Sequence, residues 1–250
     1  MQGERFSPRS GVVPAVVAVA IVLTLGGCNA FPFRRTTAAG FLRTINESKD
    51  PNIRYAAYDS LGSPRYYDND EQKAAAAKTL VDKMIAGKEP VATRAVICRT
   101  LGMIGRPEAR DAVLVATNDE DGLVRAEACR ALGRVGRPED ATVLARIMTV
   151  DVSWECRIAA IESLGDLKPR DKRILQYLVT GMEHEDPAIR VACMSTLKTI
   201  TGKDLGVDAL DWKKYVDVLP DTPLPFAAPP PPAAASTLPR EAADLSAGPR

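Results

Sequence analysis

Arg94-Ala95-Val96-Ile97-Cys98-Arg99-Thr100-Leu101-Gly102-Met103-Ile104-Gly105 is followed, 31 residues on, by Arg125-Ala126-Glu127-Ala128-Cys129-Arg130-Ala131-Leu132-Gly133-Arg134-Val135-Gly136. The two stretches carry one pattern: an arginine, a cluster of small and apolar residues, then a leucine seven residues later with glycine behind it. Arginine, cluster and leucine recur at Arg54, Arg94, Arg125, Arg157 and Arg190, with Leu61, Leu101, Leu132, Leu164 and Leu197 as the leucines; glycine follows the first four, and Lys198 the fifth. The arginine spacings are 40, 31, 32 and 33. Pro107, Pro138 and Pro169, spaced by 31, give the same period in a second register. A recurring unit of this length marks a repeat architecture.

Each unit reads as two helices. From Arg125, positions +3, +4, +7 and +10 are Ala128, Cys129, Leu132 and Val135, which share one helix face. Asp50, Asp121 and Asp186 stand four residues before their arginines, and Pro51 and Pro187 follow two of them. Aspartate at the N-cap with proline at the first helical position is a helix start. Gly133 and Gly136 are expected to end the helix. The next proline opens the partner helix, whose apolar face carries Leu144 and Ile147. A hairpin this short cannot bury its own apolar face, so it must stack on its neighbours.

Composition narrows the function. Lys+Arg 33 against Asp+Glu 32 gives a net charge of +1, no basis for nucleic-acid binding. A single histidine excludes histidine-clustered metal sites, and no positioned nucleophile, base and oxyanion donor stand together. Counted from Asp204, the glycine and glutamate places of a calcium loop hold Ala209 and Tyr215, and Gly202-Lys203 lacks the rest of a phosphate loop. The sequence therefore predicts no cofactor, no metal and no catalysis.

The N-terminus has Arg5 and Arg9, then an apolar run from Val12 to Leu25. That run is short of the ~20 residues of a spanning helix and reads as a secretory leader. It ends Leu25-Gly26-Gly27-Cys28, which resembles the lipobox of bacterial lipoproteins. The resemblance implies cleavage before Cys28 and a lipid on Cys28, hence an anchored protein of the cell envelope. Asn29 in place of aspartate favours the outer membrane. The predicted organisation is 1–27 leader, 28–36 anchor linker, 37–219 repeat domain and 220–250 tail. That tail is rich in proline and alanine and is expected to be extended or disordered.

The Arg-x-x-Ala cores and the Leu-Gly-x-apolar-Gly turns resemble HEAT repeats, in particular the HEAT-like repeats named after phycobilisome lyases. The resemblance covers about residues 37–219. It implies an all-α, right-handed α-α superhelix of the HEAT/armadillo type, with about five helical-hairpin repeats. It also implies a structural ladder joining Arg54, Arg94, Arg125, Arg157 and Arg190 with Asp50, Asp121 and Asp186. Residues after Thr201, with Trp212 and Tyr215, resemble a terminal segment of such lipoproteins and are expected to cap the solenoid.

Three further expectations follow. Positions +2, +5 and +9 of each second helix should face away from the core, on what the family implies is the concave surface. These include Arg99, Met103, Glu127, Arg130, Arg134 and Glu162, together with Val96 and Ala159, as a surface for an unidentified protein partner. Cys98, Cys129 and Cys193 should be buried, Cys156 the most exposed thiol, and His184 a solvated loop residue. Tyr66 and Tyr67, near the nine-residue excess of the first interval, should cover the end of the first repeats. The overall reading is a monomeric, non-catalytic scaffold. The alternatives are a bilin lyase-like or chaperone protein, as the namesake family suggests, and a structural envelope spacer.

Overall fold

A computed structural model describes residues 37–169 and 171–221. The leader at 1–27, Cys28, the linker at 28–36 and all but the start of the tail lie outside the described residues.

Side chains capable of accepting a backbone N–H begin most helices. α1 (Ala38–Glu47), α2 (Pro51–Ser60), α3 (Asp70–Ala86), α6 (Gly122–Val135), α8 (Trp154–Leu167), α9 (Lys172–Gly181), α10 (Pro187–Thr201) and α11 (Ala209–Asp217) start at Thr37, Asp50, Asn69, Asp121, Ser153, Asp171, Asp186 and Asp208. Each of these side chains accepts from the N–H two or three residues ahead, satisfying one of the free donors of the first turn. The remaining helices are α4 (Val91–Ile104), α5 (Arg110–Ala116) and α7 (Ala141–Val150). Gly87, Gly105 and Gly202 leave α3, α4 and α10 in the left-handed region that glycine tolerates.

The described helices form five hairpins, α1–α2 to α9–α10, closed by α11. Among the described residues there is no strand. Second helices α2, α4, α6, α8 and α10 stack on one another in order, and the first helices pack behind them. The core between the layers is built of Ala, Val, Leu and Ile with Cys98, Cys129, Cys156 and Cys193. This is an α-α superhelix.

Four expectations change. The first interval is long because α3 has 17 residues, against 7 and 10 in α5 and α7, and not only because of the loop before it. Gly133 does not end a helix: like Gly102 and Gly165, it lies inside one and is buried. Cys156 is fully buried, its Sγ 3.0 Å from the carbonyl oxygen of Gly122. Val96 and Ala159 lie in the seam between second helices and face no solvent.

The seam explains the glycines. A Cβ on Gly102 would stand 2.8 Å from Cα of Ala131 on the next helix, and one on Gly133 would stand 3.0 Å from Cβ of Ser163. At Gly165 the nearest atom would be 3.5 Å away, an ordinary contact. Buried hydroxyls tie the same layer: Thr100 donates to the carbonyl of Tyr58 at 3.1 Å and Thr196 to that of Ile161 at 3.0 Å. The C-terminal segment closes the stack. Trp212 is fully buried, its indole N–H donates to the Gly206 carbonyl at 3.0 Å, and Tyr215 meets it edge-on. At the other end Tyr66 packs edge-on against Phe41, and the Tyr67 hydroxyl donates to the Leu61 carbonyl at 2.6 Å.

The equivalent glycines should therefore respond with opposite signs. Gly102→Ala forces a backbone out of contact, a cost of about 1–3 kcal/mol that exceeds the ~1 kcal/mol helix-propensity gain. Gly165→Ala keeps the gain and should stabilise by about 0.5–1 kcal/mol. Urea denaturation of both variants checks the contrast.

Candidate interaction surface

The arginine column is a ladder along the edge where first helices turn into second helices. Arg54 pairs with Glu89, its Nη2 2.8 Å from Oε2. Arg94 grips Asp119 with two N–H groups at 3.0 and 2.8 Å, and Arg125 grips Asp151 with two at 2.9 Å. Each arginine thus reaches the turn that starts the next second helix. Asp119 and Asp151 also accept the N–H two residues ahead, at 3.0 Å from Asp121 and 2.9 Å from Ser153. The guanidinium of Arg54 or Arg125 also donates to two carbonyls of its own turn.

The partners are not the expected ones. Asp50, Asp121 and Asp186 cap helices, while the ladder uses Glu89, Asp119 and Asp151. These stand five or six residues before the next arginine, a column the sequence also carries. At the fourth rung that column holds His184. Its Nε2 lies 2.9 Å from Nη2 of Arg157, and its Nδ1 lies 2.9 Å from the N–H of Asp186. His184 is therefore partly buried in the ladder and is not a free loop residue. The carboxylates accept both donors; a neutral imidazole has one free lone pair, so it cannot accept from both. Arg157 turns its Nε to the Met148 carbonyl, 3.0 Å away. Arg190, the last of the column, donates to the carbonyls of His184 and Glu185.

The paired groups are polarised as this geometry requires. Burial opposes the charge on Asp119, but Arg94 and the turn N–H outweigh it and hold the carboxyl below the usual aspartate range. Arg125 does the same to Asp151, and Arg54 with Tyr58 to Glu89, again against burial. A second rung of the same kind joins first helices: Arg110 grips the buried Asp140, which also accepts the Arg137 N–H at 2.8 Å.

The proposed partner surface lies on the second-helix layer. Met103, Arg134 and Glu162 are exposed and Arg99 and Arg130 partly so, but Glu127, expected at this surface, is mostly buried, its side chain 15% exposed. The structure brings some of them into ion pairs: Arg99 Nη2 is 2.7 Å from Asp59 Oδ1 and Arg130 Nη1 is 3.1 Å from Glu127 Oε1. Burial raises the thiols of Cys98, Cys129 and Cys193 to about 12, so none is a thiolate at neutral pH. Among the described residues no group of three or more histidine, cysteine or acidic side chains could hold a metal ion. No described helix is long and apolar enough to cross a membrane.

Residues 77–165 match the family model for HEAT repeats. Among solved structures, the chain is similar to the complex of CpcE and CpcF of phycocyanin lyase from Nostoc sp. PCC7120. The identity is 17% over 81% of this chain and 71% of that chain, with a TM-score of 0.55. An engineered protein is similar at 18% identity over 76% of this chain and 85% of that one, with a TM-score of 0.46. No curated protein matches the chain in sequence. At such identities the likeness to the lyase complex speaks to fold alone.

Two stability effects follow from the ladder. Asp151→Asn should cost about 2–3 kcal/mol at pH 7, because the partly buried Arg125 loses its countercharge. The native carboxyl titrates below the unfolded value of about 3.9, so its contribution is present above that pH and lost as pH falls through the native value. Denaturant midpoints of wild type and variant should converge below pH 4. His184→Asp restores the two-donor acceptor of the neighbouring rungs. It should stabilise by about 1 kcal/mol at pH 7, read as a raised Tm.

Proposed function

We propose that this protein is a non-catalytic HEAT-type scaffold that presents its second-helix layer to a protein partner. The observation that carries the reading is the division of labour among its polar groups. The ladder side chains are consumed inside the fold, whereas Met103, Arg134 and Glu162 stand exposed in register on successive repeats, beside Arg99 and Arg130, each held by a single acid. Arginine and methionine suit protein interfaces, Arg for its planar fork and Met for its adaptability. The buried, protonated thiols give no support to nucleophilic chemistry.

The N-terminal pattern supports an anchored version of this scaffold. A lipid on Cys28 would hold the repeat domain at the cell envelope, where a two-chain anchor is stable and a single chain is marginal. The lyase-type alternative calls for a bound chromophore.

The double variant Arg99→Glu/Arg130→Glu keeps both side chains at the surface and should reduce capture of the partner in pull-downs by at least tenfold, with helical content unchanged. Undiminished capture would count against this surface. Cys28→Ala should move the protein from the membrane to the soluble fraction. A visible absorbance band in the purified protein would favour the lyase-type reading.

A further inference from the structure

At the last rung of the ladder the guanidinium is set in place but grips nothing. In Arg54, Arg125 and Arg190 the same nitrogen, Nη1, donates to the carbonyls six and five residues back: Ser48 and Lys49, Asp119 and Glu120, His184 and Glu185. With Nη1 held, the planar fork turns its Nε–Nη2 edge away from its own turn. In Arg54 and Arg125 that edge takes Glu89 and Asp151 of the following repeat. Arg190 has no following repeat among the described residues. There its Nε and Nη2 have no hydrogen-bond or ion-pair partner, and the side chain is exposed. Asp186, in the same turn, is spent on the α10 cap.

The helix face beside this edge is open as well. Gly102 and Gly133, at +8 from their arginines, meet the next second helix, and positions +1 and +4 share that face. Those positions hold Ala95 and Cys98 in α4 and Ala126 and Cys129 in α6, all buried. In α10 they hold Val191, 59% exposed, and Met194, half-buried. α11 packs on α9 and so continues the first-helix layer, which leaves α10 as the last described second helix. At +8, α10 has Lys198 in place of glycine, its Nζ 2.8 Å from Oδ1 of Asp204. Close approach of another backbone is blocked there. The opening is therefore confined to the first turns of α10, from Arg190 to Met194.

We propose that this edge binds an acidic helix start of a partner protein, its carboxylate taken by Nε and Nη2 of Arg190 and its helix lying on Val191 and Met194. Charge complementarity selects this occupant. A guanidinium edge matches a carboxylate with two parallel hydrogen bonds. The molecule itself shows the form such an acid takes: Asp119 and Asp151 each accept two N–H groups of an arginine and the N–H two residues ahead in their own turn. Apolar cover from Val191 and Met194 would shield the pair from water, where an exposed pair contributes little. A second copy stacked end to end does not supply the acid. Five and six residues before Arg54 stand Lys49 and Ser48, so such a contact would bring a lysine toward Arg190. This edge is distinct from the surface of Arg99 and Arg130, so the two readings fail separately.

The test is photo-crosslinking in cells that make the full chain, with benzoylphenylalanine in place of Val191 and, as the control, of Tyr177 on the first-helix layer. The captured peptide is then sequenced. Val191 should capture a peptide of another protein with aspartate or glutamate at a helix start, and Tyr177 should not. Arg190→Gln should lower the yield at least tenfold, as should changing the captured acid to its amide. Arg190→Lys keeps a cation for the carbonyls of its own turn but lacks the fork, so it should lower the yield too, with helical content unchanged. Arg190→Glu, paired with arginine in place of the captured acid, should restore it. The proposal is overturned if Val191 captures no more than Tyr177, or if the captured peptide has no acid at a helix start. It is also overturned if the yield survives Arg190→Gln, or if the peptide comes from this chain, which would make a second copy or its own tail the occupant.

Discussion

Second helices in this solenoid meet at backbone distance. No hairpin of roughly 31 residues has an apolar core of its own, so stability depends on how closely each unit approaches the next. Gly102 and Gly133 set that distance by leaving room where a methyl group would strike the neighbouring helix. Burial of Ala95, Ala126, Ala128 and Ala159, and the Thr100 and Thr196 hydrogen bonds, all require the same approach. The low aromatic content, 5%, is the compositional result: a seam this narrow is filled by small side chains.

The ladder follows from the seam. Stacking at fixed spacing brings the start of each second helix beside the turn of the next repeat, where turn N–H groups and a partly buried guanidinium both need acceptors. Asp119 and Asp151 accept three N–H groups each, two from the guanidinium of the preceding repeat and one from their own turn. The rung therefore joins units and also shapes the turn. His184 occupies this place without the acceptor capacity of a carboxylate, and farther along the same helix pair Gly165 meets its neighbours less tightly than Gly102 or Gly133. Two independent features thus relax the same junction, between α8 and α10.

Much of this was legible in the residues. The five-fold Arg/Leu pattern located every second helix, and the aspartates at −4 located three N-caps. The cysteines at +3 and +4 were readable as core from helical periodicity. The ladder acids are masked in the sequence by the more regular column of capping aspartates. Glu89, Asp119, Asp151 and His184 form a column of mixed type, and only spatial proximity reveals their shared role. Cys156 departs from the expected exposure because its position, one residue before its arginine, carries no periodicity signal for the core. Its burial comes from the preceding repeat, at the Gly122 carbonyl.

The sequence by itself determined the helical hairpins, their number and the need to stack, because helix starts, apolar periodicity and repeat length are local properties. Tertiary structure decided which acid each arginine holds, which glycines end helices and which sit in a seam, and which surface residues are already paired. Those outcomes depend on what the neighbouring repeat places within a few ångströms, a relation between units some 31 residues apart that no single unit encodes.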